Sequence, residues 1–413
     1  MPAVSSSRIC AAVSEIAAAV AAPGSFTVSV TGRDRVLLVE ALALTPDPRA
    51  RRGVRYPFAV LLAVAVCAVM AGARSFAAVA DWAVDLPAQQ RSQLGLTGAV
   101  PDPVTFWRVL TRVDAAGLQQ ALGAWLRSVL ASTTPVVPGR CRPRLVLAVD
   151  GKALRATRNA RGRGNRPVHL LAAVEHGRGV VVAQVDVDAK TNEVALFSDL
   201  LDQVEDLTDV LVTVDALHAQ TSHAEFLHAR GAHLLVTVKG NQPTLHATLK
   251  ALPWKDVPVG HVNTSHGHGR IENRTVKAVT VAAGLGFPHA AQAIKITRVS
   301  TPINRKGGRR REVVYAICTL PAEQAQPADL ATWIRGHWHI ENKLHWVRDV
   351  TFGEDLHQAR TGSGPEVMAI LRNLAISLHR LAGATNIARA LRRHGRHPNE
   401  AIMTLTRDYR TMQ

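Results

Sequence analysis

"LVLAVDGKALRATRN", residues 145–159, decides how the rest of the chain is read. An aliphatic run stops at Asp150, Gly151 and Lys152, and arginines follow. A carboxylate closing a buried strand beside positive charge fits a tight turn leaving a sheet. It fits equally an oxygen ligand next to a track for phosphates. One Asp-Gly pair does not separate these, so the flanking segments must.

Downstream, "RLVLAV" (144–149) reads as a strand, and "VHLLAAVE" (168–175) and "GVVVAQVDV" (179–187) as two more, joined by a tight "HGRG" turn. "VALFSDLLDQVE" (194–205) has helical periodicity. "DVLVTVD" (209–215) is a strand, "SHAEFLHAR" a helix and "HLLVTV" (233–238) a fifth strand. Three consecutive strands, then helix, strand, helix, strand, is the order of a ribonuclease H-like α/β core. This core is expected to begin over 144–240. A β-rich insertion with charged turns follows over 241–320 ("RTVKAVTVAA", "AIKITRVS", "REVVYAICTL"), and the helical end of the core with basic C-terminal helices occupies 321–413. Upstream, 35–135 reads as a helical N-terminal domain closed by the proline-rich "TTPVVPGRCRP", while 1–34 gives no firm signal.

The 413 residues carry 49 Lys and Arg against 32 Asp and Glu, a net charge of +17, and only nine of the bases are lysine. Arginine's planar fork suits phosphate, so a polyanionic partner is expected. Codon bias explains arginine over lysine but not the net charge. Cys10, Cys67, Cys141 and Cys318 form no CxxC pair and read as reduced, mostly buried thiols of a cytosolic protein. Glu15 interrupts the apolar 9–22 and argues against a secretory signal. "YPFAVLLAVAVCAVMAGA" (56–73) is near the lower limit for a membrane span. It is Ala- and Val-rich with no second such segment, and reads as a buried bundle helix. A soluble, cytoplasmic chain with no membrane partner is expected.

Asp150 and Asp215 each close a strand, and in the expected topology those strands are neighbours. Two carboxylates at one sheet edge are what a hard divalent ion needs, with a third from a later helix. "WIRGHWHIENKLHWVRDVTFGED" (333–355) supplies it: on an α-helix His337, Glu341, His345 and Arg348 share one face. Glu341 is the candidate third ligand, with cationic neighbours ready for phosphate.

Together "AVDGKALR", "KTNEV" (190–194), "TVDALHAQ", "VKGNQ" (238–242) and "HWHIENKLHWVRDVTFGED" resemble the DDE transposases of bacterial insertion sequences, in the branch of the H-repeat-associated proteins. "DPRARRGVRYPFAVLLAVAVCAVMAGARSFAAVADWA" is similar to that branch's helical leader, so the resemblance spans about 40–380. It implies Asp150, Asp215 and Glu341 as the catalytic triad, holding two Mg²⁺ ions roughly 4 Å apart, with Mn²⁺ able to substitute. It further implies cleavage at the element's terminal inverted repeats, transfer of the 3′-OH ends into target DNA, and a homodimer when DNA-bound. Where the wider family's third-carboxylate helix carries tyrosine, arginine, glutamate and lysine, this chain has Ile334, His337, Glu341 and Arg348. The tyrosine and arginine roles therefore do not carry over, and Arg335 or His337 is the expected substitute. A metal-dependent nuclease without strand transfer and a non-catalytic DNA-binding descendant are the rival readings.

Lys152, Arg155, Arg158, Arg161, Arg163 and Arg166 crowd the loop after Asp150 with no acid among them. Such a run is usually a solvated loop, but beside a metal site it reads as a phosphate track. In "GHVNTSHGHGRIENR", His261, His266 and His268 read as a turn rather than zinc ligands. Arg270 and Arg274, alternating with Glu272, are expected to face DNA, as are His337 and Arg348. Trp338 and Trp346 read as core anchors, with base stacking the alternative. Lys190 and Glu193 are expected to cap a helix or to support the metal ligands.

Overall fold

Nine strands, β1 (Leu145–Leu154), β2 (Val168–Glu175), β3 (Val181–Asp186), β4 (Val210–Val214), β5 (His233–Val238), β6 (His261–Gly267), β7 (Arg270–Thr280), β8 (Gln292–Pro302) and β9 (Arg310–Cys318), join into one mixed sheet in a computed structural model. The structure describes residues 37–133, 143–158, 166–187, 191–267, 269–281, 285–303, 308–407 and 409. Arg161, Arg163, Lys190, His268, Cys10 and Cys141 lie outside these.

The sheet order is β3-β2-β1-β4-β5-β9-β8-β7-β6. β1, β2 and β3 form the antiparallel meander read from the sequence, and β4 and β5 join β1 in parallel. Parallel neighbours need crossovers, which Phe197–Asp202 and Thr221–Ala229 supply as helices. The segment 241–320 opens with a helix, Pro243–Ala251. Its strands then extend the same sheet through the antiparallel β5–β9 pair. "GHVNTSHGHGRIENR" was expected to be a turn. Instead, His261–Gly267 is an edge strand paired from His261↔Val276 to Gly267↔Arg270. It has no apolar alternation because it borders no core on either side.

Helices cover both faces. On one, Phe58–Met70 is buried almost all round, as a bundle helix rather than a span, and Gly364–Leu381 packs on it. Ala115–Thr133 joins Gly364–Leu381 and β3. No helix among the described residues is long and apolar enough to cross a membrane. Local caps fit the sequence: the Ser75 and Asp102 side chains accept from the Ala78 and Thr105 amides at 3.1 and 2.6 Å, and Pro103 opens the helix Pro103–Leu110. Cys67 and Cys318 are free and fully buried, and burial pushes the Cys318 thiol up to about 12.

On the other face, Pro327–His337 seats Leu330 and Trp333 against Leu211, Leu235, Val276, Ile294 and Ala316. Cross-strand partners point to the same side of a sheet. The chain of partners Ala148↔Thr213, Thr213↔Leu235, Leu235↔Cys318 and Cys318↔Gln292 therefore puts Asp150 and Asp215 on this face. By the same count Arg270, Arg274, Arg298 and Arg310 share it.

Candidate functional site

β1 does not stop at Asp150. Its parallel pairing with β4 ends at Ala148↔Thr213, but its antiparallel pairing with β2 runs on through Asp150↔Ala172 to Leu154↔Val168. Asp150 thus sits where one neighbour departs and the other stays, in a notch at the carboxyl ends of the parallel strands. By register Asp215 stands level with it. Asp215 caps a short 3₁₀ turn, accepting from the Leu217 amide at 2.9 Å, while Asp150 accepts from the Gly151 amide at 2.9 Å.

The helix entering above the notch changes its winding. Pro327–His337 is α-helical, but Ile340–His345 and Val347–Thr351 are π-helical, with i→i+5 bonds. At the ~4.4 residues per turn this implies, His345 stays beside Glu341, whereas Arg348 swings to the far side and Trp346 comes round toward Glu341. His345 Nδ1 lies 3.0 Å from Glu341 Oε2 and 3.7 Å from Asp150 Oδ2. Asp150, Glu341 and His345 each offer a ligand atom within 4.8 Å of the others. Asp215 is outside that group but is close enough for its charge to act on Asp150.

Electrostatics mark the notch. Burial, with repulsion from Glu193 and Asp215, outweighs His345 and the Gly151 amide and raises the Asp150 carboxyl to about 6. The His345 bond lowers Glu341 instead. A carboxylate kept from its charged form by burial and like charge is what a cation would relieve. The two carboxylates suit Mg²⁺ or Mn²⁺; the imidazole, a ligand that hard ions seldom take, is placed to orient the Glu341 carboxylate.

Glu193 lies against the other face of β1 at this point. It lies 2.8 Å from His169 Nε2 and 3.6 Å from His218 Nε2. Burial alone would raise its carboxyl, but the two histidines hold it down at about 2. It rests against Gly151, where an added Cβ would stand 2.2 Å from Glu193 Oε1. A side chain at this position would have to push the Glu193 carboxylate aside. The sequence left the Asp150-Gly151 pair open between a turn and the flank of a ligand, and gave no sign of this contact.

The expected DNA-facing residues separate. Arg155 and Arg158 are exposed. Lys152 is only 9% exposed and bonds Asp349 at 2.6 Å, tying β1 to the π segment rather than facing solvent. Arg348 is a correction: the altered winding buries it completely, 2.8 Å from Glu354, which also pairs with Arg372 at 2.9 Å. His337 is half-buried: burial lowers it to about 4, and its Nδ1 lies 3.3 Å from Thr213 Oγ1 on β4. Arg270 and Arg274 flank Glu272, Arg270 at 2.7 Å, and Arg274 also donates to Ser265 Oγ at 3.2 Å. Arg335 reaches toward them through Asn263 at 3.3 Å. Trp338 and Trp346, expected in the core, are 65% and 54% exposed on either side of Glu341. His261 and His266 join no metal-binding group among the described residues.

The profile of the "Transposase DDE domain" family matches residues 142–378, and that described as "DDE_Tnp_1-associated" matches 39–126. The chain is similar to "Putative transposase YncI" of Escherichia coli O157:H7, 26% identical over 83% of this chain and 87% of that protein. It is equally similar to "H repeat-associated putative transposase YhhI" of Escherichia coli K12, 26% identical over 83% of this chain and 89% of that one. A solved piggyBac transposase synaptic complex with hairpin DNA aligns with 98% of this chain and 78% of its own at a TM-score of 0.37 and 11% identity, too loosely to bear on the fold.

Proposed function

Because the chain belongs to the transposase DDE-domain family, we propose that it cuts DNA at the inverted repeats of an insertion element and joins the freed 3′ ends to target DNA. The meeting of Asp150, Glu341 and His345 over the notch in β1 carries this reading. We read β1–β5 and the helices from Pro327 onward as a ribonuclease H-like core, split by the β-rich 241–320 and preceded by the helical 35–135. The strand order supports this. Asp150, Asp215 and Glu341 are the proposed metal-binding carboxylates. DNA is the proposed partner, the acting form is a homodimer on DNA, and the compartment is the cytoplasm.

Mg²⁺ or Mn²⁺ held there would supply Lewis acidity to the scissile phosphate and charge relief to the leaving oxygen. The chain's own part is to place the ligands. β1 and β4 fix two carboxylates level at one edge, the π winding presents Glu341 above them, and Glu193 locks the backbone at Gly151 from below. In cleavage, the oxygen of water bonds to phosphorus and the P–O bond to the element's 3′ oxygen breaks, leaving a 3′-hydroxyl. In joining, that hydroxyl oxygen bonds to a target phosphorus, and the target's own 3′ oxygen leaves with the proton. Arg155 and Arg158 on one side, and Arg270 and Arg274 on the shared face, offer phosphate contacts.

The test uses purified protein, Mg²⁺, a labelled fragment from the element's border and a supercoiled target. Joined products are expected, and they should vanish when the fragment ends in a 3′-dideoxy nucleotide. Cutting without joining, with the ends still bound, would make the protein a nuclease. Binding without cutting would make it a non-catalytic descendant.

A further inference from the structure

The C-terminal helix Ile387–Arg396 is divided sharply along its length. Ile387 and Leu391 are buried, and the helix packs against both Phe58–Met70 and the π-wound Val347–Thr351. Asn386 starts it, accepting from the Arg389 amide at 2.9 Å. Its outer side carries Arg389, Arg392, Arg393 and Arg396, all exposed and spaced i, i+3, i+4, i+7, which is a single helix face. A concavity of about 390 Å³ opens there, lined by these four arginines and His397 alone. It continues past Arg389 and Arg393 into a second hollow of about 600 Å³ that reaches Arg407.

Internal pairing does not account for this face. Arg393 is held by Glu400 at 2.7 and 2.8 Å. Arg389, Arg392 and Arg396 have no acidic partner at ion-pair distance among the described residues. Like charges this close repel, and a helix anchored on its other side cannot turn them apart. The four arginines border a shallow, open hollow, and a row of guanidiniums along one face suits the oxygens of a phosphodiester backbone. From Arg389 to Arg396 the helix advances roughly 10 Å, about three base-pair rises of duplex DNA.

We propose that this arginine face is a second DNA-binding surface. It grips the phosphate backbone without reading bases, and it is built on a different helix from the metal-binding groups. The proposal rests on the transposase reading for the identity of the polyanion. The two can fail separately.

Binding of a labelled non-specific duplex would be followed by fluorescence anisotropy across a salt series, in full-length protein without divalent metal. Each phosphate contact adds about 0.9 to the slope of log K against log salt. Replacing Arg389, Arg392 and Arg396 together by Ala should flatten it by up to ~2.7, while replacing them by Lys should keep most of it. A triple-Ala variant that keeps the wild-type melting temperature and the wild-type slope would overturn the proposal while sparing the transposase reading. In that case the face meets an acidic protein or only solvent. Failure of the wild-type protein to bind duplex at all would instead overturn the transposase reading.

Discussion

Two clusters of charge hang from one π-wound segment and are treated in opposite ways. On one side, Glu341 and His345 meet Asp150, with Asp215 and Glu193 nearby, so that negative charge outnumbers what the protein supplies to neutralise it. On the other, Arg348 and Arg372 enclose Glu354. There burial would raise the Glu354 carboxyl, but the two guanidiniums hold it at about 2. Asp150, by contrast, is raised to about 6. Burial is common to both, so it is not the distinguishing mark of a site. The mark is the shortage of counter-charge: the closed cluster is finished by the protein, and the open one is left short of positive charge.

The widest separation between the clusters should come from Asp150→Asn. Cleavage should fall by at least ~10³-fold, since one ligand of the cation is lost. Yet the metal-free protein should become more stable above pH 6. Asp150 takes up its proton near 6 in the fold against an ordinary 3.8. The stability this contributes is therefore complete below the lower value and lost as pH rises through the higher one. Asn removes that loss. Melting curves from pH 4 to 8 in EDTA, set beside nicking assays, check both halves; equal melting temperatures at pH 8 would mean the notch is not starved of positive charge.

Next in size is Glu354→Gln, which strands two buried guanidiniums. A loss of about 3–5 kcal/mol is expected, with activity lost only because the fold is lost. Its counterpart Glu341→Gln, on an exposed side chain, should leave the urea midpoint almost unmoved while abolishing cleavage. If both variants unfold alike, the contrast between open and closed clusters is wrong.

The smallest effect belongs to Gly151→Ala. Its methyl group must displace the Glu193 carboxylate. Cleavage should drop ~10-fold by the loosening of Asp150, a misplacement cost and not a lost ligand. Raising Mn²⁺ should recover little of it. Full recovery at high Mn²⁺ would show that Glu193 sets affinity and not geometry.

The three-strand meander of β1–β3 and the buried Phe58–Met70 helix were legible in the sequence, because each rests on a local period. What escaped was the winding after His337. A face counted at α-helical spacing puts Glu341 and Arg348 together and sends Trp346 inward. A π-helix reverses both, and its extra residue per turn leaves no mark in the apolar pattern. The continuation of β1 past Asp150 was hidden for a different reason. It depends on β2, whose partner residues lie about twenty positions away, and no short stretch reports that. Glu193 under Gly151 is a contact of the same long-range kind.

One property of the sheet has a mechanical side. From β4 to β7 the path crosses four strand pairs, all hydrogen-bonded and without a hinge. A right-handed twist of about 20–25° per pair adds up to something on the order of 80–100°. On the proposed DNA-binding reading, the sheet would be a fixed bracket for a duplex lying along the arginines of β7 and β8, and its axis would turn through most of a right angle to bring a phosphate to Asp215 at the end of β4. Such a bend is cheap at pliable pyrimidine–purine steps and costly in stiff A-tracts. The bracket would favour some DNA sequences over others by their flexibility, before any side chain touches a base.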